Sequence, residues 1–158
     1  MDKLWAPWRI SYVRSKKKSK GGCIFCHAKT GKPGDYVIFK TQFSIALLNI
    51  YPYNNGHMLI SPLRHIRDIS QMQDREILDL FNCLNKAKSL LQKVLKPQGY
   101  NVGFNLTRVA GAGIVGHLHL HLVPRWVGDT NFMPVVFKTK IISQSLDQLA
   151  KRLKNANR

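Results

Sequence analysis

Gly116-His117-Leu118-His119-Leu120-His121-Leu122-Val123-Pro124 is the stretch on which the reading of this chain turns. It holds three of the six histidines, His117, His119 and His121. In a β-strand, alternation places these imidazoles on one face and Leu118, Leu120 and Leu122 on the other. The leucines can pack on a helix while the imidazoles line an open face. A half-buried strand needs only some polar residue outside, and Thr or Lys would serve as well. A row of imidazoles instead offers nucleophilic attack, proton transfer or metal binding near neutral pH.

Working outward, short apolar runs predict strands over 36–40, 44–49, 57–61, 100–105 and 118–123. Pro52-Tyr53-Asn54-Asn55-Gly56 is a turn by composition. Ile77, Leu80, Phe81, Leu84, Ala87, Leu91, Val94 and Leu95 recur at helical spacing and predict a long helix. Ser70 and Gln73 suit a capping box ahead of it, and Pro97 and Gly99 stop it. A second helix over 145–154 places Leu146, Leu149, Ala150 and Leu153 on one face. Strands, one long helix, then strands again imply an α+β fold with an antiparallel sheet. The 158 residues suit one domain, 1–158, in which 1–22 form an N-terminal arm and a basic loop. The arm carries Trp5 and Trp8, which are expected to pack on the body or on a partner subunit.

Lys and Arg number 25 against 8 Asp and Glu, so the formal net charge is +17. Such a balance favours anionic partners, among them nucleotides and nucleic acid. No apolar run approaches the ~20 residues of a bilayer span, so no membrane association is expected. Met1 to Arg14 lack the pattern of a secretory signal, and a cytoplasmic location is expected.

The run Gly116 to Val123 resembles the histidine-triad family, whose mark is His-x-His-x-His followed by apolar residues. Leu47-Leu48-Asn49, Pro52, Gly56-His57 and Ser61-Pro62 resemble that family's nucleoside-binding strand and the turn after it. Trp5-Ala6-Pro7-Trp8-Arg9 and the run Pro124 to Phe132 resemble its bacterial members of the diadenosine-tetraphosphate phosphorylase type. The resemblance implies a nucleotidyl hydrolase or transferase acting on dinucleoside polyphosphates or related adenine nucleotides. His119 would be the nucleophile, with its second ring nitrogen donating to a backbone carbonyl. His121 would assist the leaving group, and Asn105 would add a polar contact near the scissile bond. Asn49 would hold the ribose and Leu47 the base. Where many members place Gln and Ser, this chain has Gly111-Ala112-Gly113-Ile114-Val115. The N–H groups of Gly111 to Gly113 are expected to substitute as an anion nest, the alternative being that these glycines only shape the loop. The family usually dimerises, so a homodimer or a larger even-numbered assembly is expected. Two alternatives stand beside this reading. One is a catalytically idle nucleotide- or nucleic-acid-binding module, to which Lys16-Lys17-Lys18, Lys151, Arg152, Lys154 and Arg158 give some support. The other is an enzyme that removes adenylate from amines or nucleic-acid ends.

Cys23-Ile24-Phe25-Cys26 is half of a zinc-site pattern. Relatives in the wider superfamily complete such a site with two histidines, and the matching positions here are His65 and His117. The resemblance thus implies a structural zinc on Cys23, Cys26, His65 and His117, with His117 structural rather than catalytic. Cys23-Ile24-Phe25-Cys26-His27 also matches the covalent haem signature, which normally requires export.

Overall fold

The computed structural model describes residues 22–30, 36–130 and 142–158. Expectations for the tryptophan arm, the Lys16–Lys18 run and the end of the Pro124 to Phe132 run lie outside these residues. In chain order the elements are α1 (Ile24–Ala28), β1 (Val37–Lys40), β2 (Ser44–Leu48), β3 (Met58–Pro62), a 3-10 turn (Ile69–Gln71), α2 (Asp74–Leu95), β4 (Gly99–Phe104), β5 (Leu120–Arg125) and α3 (Leu146–Ala156). The strands form one five-stranded sheet in the order β1-β2-β3-β5-β4. Every neighbouring pair is antiparallel. The expected α+β class is therefore observed.

Strands β2 and β3 are buried along their whole length because both faces of the sheet are covered. On one face Ala46, Leu48, Met58, Ile60, Leu120 and Leu122 pack against Leu80, Leu84, Ala87 and Leu91 of α2 and Leu149 and Leu153 of α3. On the other, Ile45, Leu47 and Leu59 pack against Phe25 and Ala28 of α1. Period-two alternation thus divides the apolar residues between two cores and sends the histidines to the α1 side.

The long helix corrects the sequence reading in two respects. Its capping box joins Gln73 and Glu76, and a second box joins Asp68 and Gln71 in the 3-10 turn. Ser70 takes no part as a cap, because its N–H and hydroxyl both donate to Asp68 Oδ1. Arg64 holds Glu76 by Nε at 2.8 Å and Nη2 at 2.7 Å and lowers its pKa to about 2. The buried stripe runs through Leu80, Cys83, Leu84, Ala87, Leu90 and Leu91, whereas Ile77 and Phe81 lie on its shoulder at 38% and 49% exposure. Their spacing fits a helix, but the residues that meet the sheet are those of the Leu80–Leu84–Ala87–Leu91 stripe.

Gly56 ends the β2–β3 turn with φ +75°, and a Cβ there would stand 2.6 Å from Leu95 Cδ1. A side chain there would be strained at that φ and would have to displace the Leu95 side chain. Strand β5 begins at Leu120, two residues later than expected. Ahead of it the chain is anchored by Leu118 N–H to Ile66 O at 2.6 Å and by Ser61 Oγ–H to Leu118 O at 2.8 Å. His117 and His119 therefore precede the ladder, yet their rings still face α1.

Candidate active site

Phe25 lies against both His117 and His119, with ring centroids 5.0 and 5.1 Å away. It fixes the two rings from below. His119 Nδ1–H donates to His117 O at 2.8 Å. A neutral imidazole carries one N–H, so this bond leaves Nε2 with a free lone pair. Burial lowers the pKa of His119, and the carbonyl bond partly opposes that shift. The ring is therefore neutral, with an unprotonated Nε2, the form that nucleophilic attack by an imidazole requires.

The neighbouring tautomers follow from the same reasoning. Tyr53 N–H donates to His57 Nδ1 at 3.0 Å, and the Asn49 amide lies 3.2 Å from that nitrogen. The hydrogen of His57 is thus on Nε2, which meets His121 Nδ1 at 2.9 Å. His121 in turn carries its hydrogen on Nε2, 3.4 Å from the Asn105 side-chain amide, which can accept from it only through its oxygen. Burial, with repulsion from His121 and His119 adding to it, lowers His57 to about 3. Burial, then His119, lowers His121 to about 4. The arrangement sets an unprotonated His119 Nε2 beside a His121 Nε2–H donor, with ring centroids 5.0 Å apart.

Both rings line a cavity of about 310 Å³. Ile24, Ala28, Leu47 and Leu59 give it apolar walls, and Asn49 stands at its edge. Asn49 Oδ1 accepts from Tyr51 N–H at 2.9 Å, which fixes the amide and leaves a lone pair for a second donor. An apolar slot with one oriented amide at its edge suits a base and its ribose.

The glycine turn differs from expectation. Gly111 adopts φ +92°, its N–H donates to Arg108 O at 3.0 Å, and Ala112 N–H donates to Thr107 O at 3.2 Å. Those two amides close the turn itself, so they are not donors of an anion nest. Gly113 lines the cavity, and Gly111 does not.

Cys23, Cys26, His65 and His117 bring one ligand atom each to within 4.8 Å of the others. Cys23 Sγ lies 3.1 Å from His117 Nδ1, and Cys26 Sγ lies 3.2 Å from His65 Nδ1. Tetrahedral zinc with bonds of about 2.0–2.3 Å requires ligand separations of this order. His117 Nε2–H donates to Pro62 O at 2.9 Å, which presents Nδ1 to the thiols in the manner of a metal-binding imidazole. The four residues therefore fit zinc in type, number and spacing.

Sequence reasoning left His57 and Tyr53 without a role. His57 is 1% exposed and orients His121, and the Tyr53 ring is stacked on His121 at 5.7 Å. The signal for His57 was a lone histidine after a turn glycine, which becomes informative only once the strand register pairs it with β5.

A HIT domain family model matches residues 31–127. The AP-4-A phosphorylase of Mycobacterium tuberculosis is 33% identical over 154 residues, which are 92% of this chain and 79% of that protein. The asymmetrical bis(5′-nucleosyl)-tetraphosphatase of Schizosaccharomyces pombe is 30% identical over 66% of this chain and 57% of its own length. Among solved structures, a zinc-bound histidine triad family protein from Mycobacterium smegmatis superposes with a TM-score of 0.70 at 23% identity. That match covers 86% of this chain and 93% of the other.

Proposed function

The chain belongs to the HIT domain family, and from that premise we propose that it is an enzyme cleaving a phosphoanhydride bond of dinucleoside polyphosphates through a nucleotidyl intermediate on His119. The observation that carries the reading is the His119 Nδ1–H bond to His117 O, which frees Nε2 at the mouth of an apolar nucleoside-sized cavity. The names of two relatives, an AP-4-A phosphorylase and an asymmetrical tetraphosphatase, support the substrate class.

In this mechanism the base enters between Leu47 and Ile24, and Asn49 accepts a ribose hydroxyl. His119 Nε2 attacks the α-phosphorus, forming an N–P bond as the bond to the bridging oxygen breaks. His121 Nε2–H donates to that oxygen as negative charge grows on it, and the Asn105 amide adds a polar contact beside the scissile bond. His57 acts as a positioning residue, holding His121 in the tautomer that can donate. Water or inorganic phosphate then takes the adenylyl group and frees His119. Zinc on Cys23, Cys26, His65 and His117 would supply a structural cross-link between α1, the segment after β3 and the segment before β5. With diadenosine tetraphosphate, ATP is expected as the first product, joined by AMP when water is the acceptor and by ADP when phosphate is. Chromatography of reactions with and without phosphate reads this directly, and two molecules of ADP formed in phosphate-free buffer would contradict attack at the α-phosphorus.

We also propose that the working form is a homodimer. Strand β4 is the outer strand of the sheet, so its outer edge has no partner strand among the described residues. Val102 on it is 50% exposed, and Leu78 and Phe81 of α2 are 65% and 49% exposed. An open sheet edge, together with exposed apolar residues on β4 and α2, favours pairing with a second copy. Light scattering at micromolar concentration is expected to give twice the chain mass; a strictly monomeric mass would contradict the proposal.

A further inference from the structure

The mechanism accounts for one nucleoside, yet the same sheet face carries a second cavity of about 340 Å³ beyond His121. Tyr53 lines both cavities and stacks on His121, so the two adjoin at that pair of rings. The floor between them follows from register. Gly103 pairs with His121 and Asn101 with Val123, so alternation sets Gly99, Asn101, Gly103 and Asn105 in a row on the histidine face. A Cβ added at Gly103 would meet nothing within 4 Å, which leaves a bare lane of backbone beside His121.

We propose that this second cavity binds the nucleoside at the far end of the substrate, with the polyphosphate crossing Gly103 to reach it. The inference rests on the catalytic reading above and specifies the leaving group that site accepts. The chemistry of the lining favours a nucleoside over a phosphate. Asp129 takes up the charge of Arg125 through contacts of 2.6 and 3.0 Å, so the cavity is close to neutral. Arg125 Nη1–H donates to Asn101 Oδ1 at 2.7 Å, which fixes that amide. The Asn101 NH2 makes no other hydrogen bond among the described residues and can donate to a base or ribose oxygen. Val123 and the Tyr53 ring supply apolar contact, and Thr130 supplies a hydroxyl. A molecule with a nucleoside at each end of a phosphate chain would fill both cavities and place one α-phosphate at His119.

The matched test compares diadenosine tetraphosphate with adenosine 5′-tetraphosphate, which has the same phosphates and lacks only the second nucleoside. In the wild type, kcat/KM for the dinucleotide is expected to exceed that for the mononucleotide by about tenfold, mostly through KM. Asn101→Ala removes the donor and Gly103→Leu obstructs the lane; each is expected to bring the ratio close to one. A wild-type ratio near one, or a ratio unchanged in either variant, would overturn the second subsite while leaving the catalytic reading intact. Failure of the wild type to cleave either compound would overturn the catalytic reading, and the subsite with it.

Discussion

Replacing His119 by Ala is expected to lower turnover of diadenosine tetraphosphate by roughly 10⁴-fold or more, the scale on which loss of a nucleophile acts. The expectation rests on the division of labour in the site. In the proposed mechanism His119 Nε2 is the atom that bonds to phosphorus, whereas the apolar walls and Asn49 hold the nucleoside. The substitution removes a ring packed on Phe25 at 5.1 Å and leaves Leu47, Leu59 and Ile24 in place. Nucleotide affinity, read by calorimetry with a non-cleavable analogue, is therefore expected to change only a few-fold. A variant that retains more than about a tenth of wild-type turnover would mean that His119 is not the nucleophile. His57→Gln provides the contrast, because it withdraws the Nε2–H that orients His121 without removing the nucleophile, and it is expected to lower kcat by far less than His119→Ala does.

The second large effect concerns the metal. Purified protein is expected to carry about one zinc per chain, and removing the ion is expected to cost several kcal/mol of stability. For a chain of this size that corresponds to a fall in Tm of about 10 °C or more. The reason is topological: Cys23 and Cys26 belong to the start of the described chain, His65 follows β3, and His117 precedes β5. Without the ion, two thiols and two imidazoles remain crowded within 4.8 Å and nothing joins the segments that seat Phe25 beneath His119. Cys26→Ser should reproduce the loss of stability with zinc in excess. Metal analysis showing no zinc in protein never exposed to chelator, together with a Tm indifferent to chelator, would contradict the site.

The outline of the molecule was legible because period-two and period-3.6 patterns survive in a single sequence. Leu118, Leu120 and Leu122 alternating with His117, His119 and His121 gave the two faces, and the leucines at helical spacing gave α2. What escaped depended on partners distant in sequence. The ladder of β5 starts at Leu120, opposite Phe104 at the end of β4, which no local signal in the histidine run records. Ile77 and Phe81 fit the helical period but stay exposed, because which turns of the apolar stripe meet the sheet depends on packing and not on period. Ser70 is drawn into the Asp68 turn, a competition between neighbouring caps that composition alone does not decide. The orienting role of His57 required its register against β5, and the commitment of the Gly111 and Ala112 amides required the fold of the turn. Cys23 and Cys26 were visible as a pair, but only the family resemblance pointed to His65 and His117, and the structure brings all four together.

The central claim is a covalent bond between His119 and phosphorus, and the stereochemical course at that atom tests it most directly. A dinucleoside polyphosphate bearing a chiral phosphorothioate at the α-position would be cleaved in isotopically labelled water or phosphate and the product's configuration determined. Two in-line displacements, first by His119 Nε2 and then by the acceptor, predict overall retention. Inversion would mean a single direct displacement and would contradict the nucleotidyl-histidine intermediate.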